Sequence, residues 1–122
     1  MMYRIIDLPE NVIGFKALWK VTDKDFEEVM APSVNHHLKQ SNQFNCLLVL
    51  SNFTDNIKLN TIKIFKHLRH CRNKCKRIAI VTESKANKKI IEFLNLFFKA
   101  ELKEFSNTEY KEAINWTSQN PS

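Results

Sequence analysis

The sequence predicts a single α/β domain spanning residues 1–122, with a five-stranded, mostly parallel sheet, an antiparallel N-terminal edge strand and about four helices. Three observations carry this. Short apolar runs alternate with segments of helical period, the pattern of strands joined by crossover helices. Between Phe44 and Val81, the strand candidate Cys46-Leu-Leu-Val-Leu50, a basic helical segment from about Leu59 to Cys71 and the strand candidate Arg77-Ile-Ala-Ile-Val81 have the spacing of a βαβ unit, whose strands lie parallel and buried. No repeat, low-complexity stretch or linker divides the 122 residues, a length that can bury a core without disulfides or metal.

Taken in order, Tyr3 to Leu8 is strand-like, Pro9-Glu-Asn11 has turn chemistry, and Val12 to Leu18 is a second strand, which together make an antiparallel hairpin. Thr22 stands as a helix N-cap with Asp25 three residues on, a capping box with a shorter acid. Phe26, Val29, Met30, Val34 and Leu38 then recur at helical spacing, so a helix is expected from about Asp23 to Gln40, kinked or broken by Pro32. After the βαβ unit, a helix of about Lys85 to Phe98 and a strand from Ala100 to Phe105 follow. Ser106-Asn-Thr-Glu109 is another capping box, opening a short helix whose apolar side is Tyr110, Ala113, Ile114 and Trp116. Thr117 to Ser122 reads as a polar tail.

Nineteen Lys and Arg against thirteen Asp and Glu give a net charge of +6, which favours acidic partners or anionic surfaces. The single glycine, Gly14, disfavours P-loop and dinucleotide readings, each of which needs several glycines in a short span. Three cysteines, Cys46, Cys71 and Cys75, lack disulfide-framework spacing and read as reduced thiols. The longest apolar runs are too short to cross a bilayer, and Met-Met-Tyr-Arg-Ile-Ile-Asp lacks the apolar stretch of a signal peptide, so a cytoplasmic location is expected.

An ordered set of short segments resembles the bacterial SpoIIAA-like family: Asp7-Leu-Pro-Glu-Asn-Val-Ile-Gly-Phe15, Lys20-Val-Thr-Asp-Lys-Asp-Phe26, Ala31-Pro32, and Lys66-His-Leu-Arg69 leading to Arg77-Ile-Ala-Ile-Val-Thr82. The resemblance covers nearly the whole chain. It implies a STAS-like domain sharing the broader architecture of CRAL-TRIO lipid carriers, without catalysis, binding a small apolar ligand or a protein partner, with a homodimer unsurprising. Anti-sigma-factor antagonists among STAS proteins carry a phosphorylated serine in an Asp-Ser-Ser-Gly-like turn. Here the corresponding Ser51-Asn-Phe-Thr-Asp-Asn56 has no glycine, which argues against that switch although Ser51 and Thr54 are hydroxyls in the same region.

Candidate sites follow from the fold. In open parallel sheets ligands favour the crevice outside the carboxyl ends of the strands. Ser51, Asn52 and Phe53 follow one such end, and Thr82, Glu83 and Ser84 the next. They read either as ordinary turn residues or as a site in which Phe53 forms an apolar wall and Ser51, Asn52 and Thr82 a polar rim. On a wheel of about 100° per residue, Ile90, Phe93, Leu94 and Phe97 share one helix face and Ile91 and Phe98 form a shoulder. That shoulder either packs on a neighbouring helix or lines an apolar groove, with Phe53, Ile91, Phe97 and Phe98 as ligand-binding candidates.

His67, His70, Cys71 and Cys75 tempt a zinc reading, but only His67 and Cys71 are placed to share a ligand, and no metal or cofactor is expected. No acidic residue falls between Asp55 and Glu83, whereas Lys58, Lys63, Lys66, Arg69, Arg72, Lys74, Lys76 and Arg77 do. This is either a solvated face or a docking face for an acidic partner, with Lys63, Lys66 and Lys74 as its candidates and weak contact with an anionic membrane surface as a variant. Aromatics do not interleave with these cations, which disfavours nucleic acid. No nucleophile-base arrangement or carboxylate pair is recognisable, so the expectation is a non-enzymatic module.

Overall fold

Alternation along the strand Val12–Leu18 sets the architecture. Ile13, Phe15 and Ala17 point to one side of the sheet and are fully covered, whereas Val12 and Lys16 point to the other. The computed structural model describes residues 1–19, 21–51, 66, 68–83 and 88–119. This strand, β2, pairs antiparallel with β1 (Met2–Ile5) and parallel with β3 (Phe44–Ser51). The strands β4 (Cys75–Thr82) and β5 (Glu101–Phe105) continue the sheet in parallel, in the order β1-β2-β3-β4-β5. The expected hairpin and βαβ strands are therefore present.

β1 ends earlier than its sequence suggests. Asp7 turns the chain with a φ of 61°, and Leu8 folds back across β2. A Cβ on Gly14 would collide with Leu8 Cδ1 and lie 3.2 Å from Ile5 Cβ. The glycine thus serves close packing inside the hairpin rather than a phosphate loop.

The first helix, α1, covers residues 23–38 as a continuous run: Asp23–Asp25 is α-helical, Phe26–Met30 is a π turn and Ala31–Leu38 is α-helical. Its capping box is formed, with the Thr22 backbone N–H donating to Asp25 Oδ2 at 2.9 Å. Pro32 neither breaks nor interrupts it. The Ala31 N–H bonds the Phe26 carbonyl five residues back, and Pro32 falls in the first turn of the α-helical segment that follows. A missing donor is tolerated there, so the strain is absorbed by a local widening. Later come α2 (Lys88–Phe97) and α3 (Tyr110–Ser118), the latter preceded by a 3₁₀ turn, Asn107–Glu109, closed by the expected box from Ser106 to Glu109. The helix expected from Leu59 lies mostly outside the described residues, and its described end closes in a 3₁₀ turn, Arg69–Cys71.

Two cores result. On one side Phe26, Met30 and Val34 of α1 and Leu94 and Phe97 of α2 pack on Ile13, Phe15, Leu48 and Ile80. On the other, Ala113 of α3 packs with Val12, Leu47, Ala79, Val81 and Phe105. Cover on both faces explains why the central strands read as unbroken apolar runs.

The carboxyl end of α3 is held by three side chains, from β4, from β3 and from the turn that precedes β2. Arg77 Nη1 donates to the Trp116 carbonyl at 2.8 Å, Asn45 Nδ2 to Thr117 at 2.6 Å and Asn11 Nδ2 to Ser118 at 2.7 Å. Carbonyls of a last helical turn lack partners within the helix, and a cation is favoured beside them. Arg77 also lies 4.6 Å over the Trp116 ring and pairs with Glu101 at 3.0 Å. Asn45, only 3 % exposed, additionally accepts the Arg77 backbone N–H at 3.1 Å, at an irregularity between Phe44 and Cys46 in the β3–β4 pairing.

Candidate functional site

Because the end of α3 is docked at Asn11 and Asn45, near the beginnings of β2 and β3, the carboxyl halves of the strands on that face open into a cleft of about 500 Å³. Its floor is apolar: Val81 is 1 % exposed, and Val49 and Ile5 are half-buried beside it. Tyr3 and Tyr110 wall it from β1 and from the first turn of α3. Four polar residues also line it: Lys16 of β2, Ser51 at the last residue of β3, Asn107 of the 3₁₀ turn, and Arg4 of β1, whose register with Phe15 turns its side chain toward the opposite face.

Register brings these residues together. Tyr3 stands opposite Lys16, Lys16 opposite Val49, and Val49 opposite Val81, so four strands contribute one row across the sheet. Lys16 is half-buried within that row, and neither it nor Arg4 forms an ion pair with a described residue. The described lining residues include no carboxylate. A floor of branched aliphatic side chains with a lysine beside it can hold an apolar molecule and orient it by a polar end.

Of the residues expected at a site, Ser51 does line this cleft. Thr82 does not form a rim: it is 8 % exposed, and alternation with Val81 places it toward the α1 side of the sheet. Phe97 and Phe98 are core residues at 7 % and 6 % exposure, and Ile91 is half-buried against the same core. The apolar surplus of α2 is taken up by packing, since the ring of Phe97 stacks on Phe93 at 5.6 Å and meets Phe98 edge-on at 4.8 Å. Asn52, Phe53 and Lys63 lie outside the described residues. Lys66 and Lys74 are exposed. The sequence reading missed Tyr3, Lys16 and Tyr110, although a lysine within the apolar run Val12–Leu18 was a signal that could have pointed to the cleft.

The cysteines and basic residues divide differently from the way their chemistry suggests. Cys46, Cys71 and Cys75 are free and buried. Burial pushes the Cys46 thiol up to about 12 and Cys71 to about 11, and it raises Cys75 as well. Such thiols are inert at neutral pH. Among the described residues no three His, Cys, Asp or Glu groups are placed to hold a metal ion. His70 is exposed and hydrogen-bonded to Asn35 Oδ1, while His67 lies outside the described residues. Arg72 and Arg77 do not belong to a solvated face. Arg72 donates to the Phe97 carbonyl at 2.6 Å and lies 5.4 Å over its ring, closing the end of α2 as Arg77 closes that of α3.

Comparison with known proteins adds a family and a fold. The SpoIIAA-like family model matches residues 12–118. Among solved structures, an uncharacterised protein of the DUF3478 family with a SpoIIAA-like fold, from Shewanella loihica PV-4, is similar at 20 % identity with a TM-score of 0.69, over 95 % of this chain and 93 % of that one. No curated protein matches the chain. Among the described residues no helix is long and apolar enough to cross a membrane.

Proposed function

The chain belongs to the SpoIIAA-like family, and on that premise we propose that it is a non-enzymatic, cytoplasmic regulatory or binding module that takes a small, apolar, lipid-like ligand. The observation that carries this reading is the cleft over Val49 and Val81. Its volume of about 500 Å³ lies in the range of small-molecule pockets, its floor is apolar, and it opens at the carboxyl ends of the parallel strands. The cleft stands on the α3 side of the sheet, in place of a groove beside α2, because Phe97 and Phe98 are already used in the core.

Native mass spectrometry of protein purified from cells, followed by organic extraction, tests the proposal. The expected result is a co-purified apolar molecule, or binding of an apolar fluorescent probe that is lost on filling the cleft with Val49→Trp. No co-purified molecule and no probe binding would end this reading.

A second reading has its own support. Lys66, Arg69 and Lys74 are exposed and form no ion pair with a described residue, which suits docking of an acidic protein partner or, more weakly, an anionic membrane surface. Pull-down with Lys66→Glu/Lys74→Glu, with sedimentation at two salt concentrations to detect a homodimer, distinguishes it. An unaltered partner set would count against docking through this face.

A further inference from the structure

Resting on the cleft reading above, we infer that the ligand is an amphipathic anion, a hydrocarbon chain ending in a carboxylate, with its head held by Lys16 and its chain laid across Val49 and Val81. Three observations converge on this. Lys16 sits on β2, next to the edge strand, flanked in register by Tyr3 on β1 and Val49 on β3, so its aliphatic stem stands between an aromatic and a branched neighbour. The residue is half-buried, its ammonium has no protein counter-charge among the described residues, and an anion brought to it gains a charge-assisted contact. No carboxylate is present among the described residues lining the cleft to compete for that charge.

The apolar part of the ligand follows from the same row. From Lys16 the register continues to Val49 and then Val81, two strand spacings or about 10 Å, over side chains that carry no polar atom. Tyr110 faces this path from α3, and Ile5 closes it from β1. A free inorganic anion would leave that floor uncovered, and a neutral hydrocarbon would leave Lys16 without a partner. An ionised head joined to an apolar chain satisfies both.

The test compares decanoate with decanol by isothermal titration on the full chain. The expected result is that decanoate binds at least about tenfold more tightly than decanol, the margin of one charge-assisted contact. In Lys16→Met that preference collapses while decanol affinity is retained, and circular dichroism melting shows that the variant is folded. Equal affinity of the wild-type protein for the two compounds overturns the anion inference and leaves the apolar-ligand reading intact. Absence of binding by either overturns both. A preference that survives in folded Lys16→Met also overturns the inference. Should Lys16→Met not fold, Lys16→Gln, which removes the charge but keeps an unbranched polar side chain, is compared in the same way, and a preference that survives in it overturns the inference.

Discussion

Asn45 occupies a buried position in a strand otherwise made of Phe, Cys, Leu and Val up to its terminal Ser51, and its side chain satisfies two backbone groups, the Thr117 carbonyl and the Arg77 N–H. Asn45→Ala leaves the Thr117 carbonyl and the Arg77 N–H without partners, at about 1–3 kcal/mol for each group so orphaned. The expected destabilisation is about 2–4 kcal/mol, read as a lower urea midpoint with an unchanged slope. The cysteines make a second residue-scale prediction. With Cys46 raised from 9.0 to about 12, its thiolate fraction at pH 8 falls about 10³-fold below that of the unfolded chain. Iodoacetamide should therefore label the native thiols at least about 100-fold more slowly than the urea-unfolded ones, as followed by mass spectrometry. Comparable rates would mean that the thiols are reached without unfolding.

The helix α3 shows how an element is specified at its two ends by different kinds of information. At its start, Ser106 and Glu109 form a box that is legible as a local spacing. The Ser106 backbone N–H, and then its hydroxyl, hold the Glu109 carboxyl below its ordinary value of 4.5. A depressed carboxylate contributes stability that is present above the unfolded value and lost as pH falls through the folded one. Glu109→Ala should therefore lower the melting temperature at pH 7, and the difference from wild type should shrink as pH falls below 4.5 and vanish once the carboxyl is protonated in both states. A constant difference down to pH 2 would assign the effect to helix propensity instead. The other end of α3 depends on Arg77, Asn45 and Asn11, which are distant in sequence and carry no local signature. Pro32 gives the same lesson within α1: its chemistry announces a disturbance, but whether the helix breaks or widens depends on the core that Phe26 and Met30 are buried in.

For the whole molecule, the buried thiols set a limit at high pH. Their raised values mean that the folded chain holds protons that the unfolded chain releases from pH 9 upward. The stability linked to them is fully present below pH 9, falls as pH rises above it, and is lost through about 11 to 12. The urea midpoint should accordingly stay level from pH 7 to 8.5 and decline above 9. The replacement Cys46→Ala, Cys71→Ala, Cys75→Ala should flatten that decline even where it lowers stability at pH 7.

The sequence by itself determined the strand order and the helices before β3 and after β4, the antiparallel first hairpin, both capping boxes and the parallel βαβ strands. These rest on periodicity and on contacts between near neighbours, which the linear order carries. The tertiary structure alone decided that Phe97 and Phe98 belong to the core, that Arg72 and Arg77 close helices rather than form a docking face, and that Tyr3, Lys16, Val49 and Val81 meet in one row. The physical reason is register: a side chain's neighbours across a sheet are set by how strands far apart in the chain align, and a shift of one residue would send each to the opposite face.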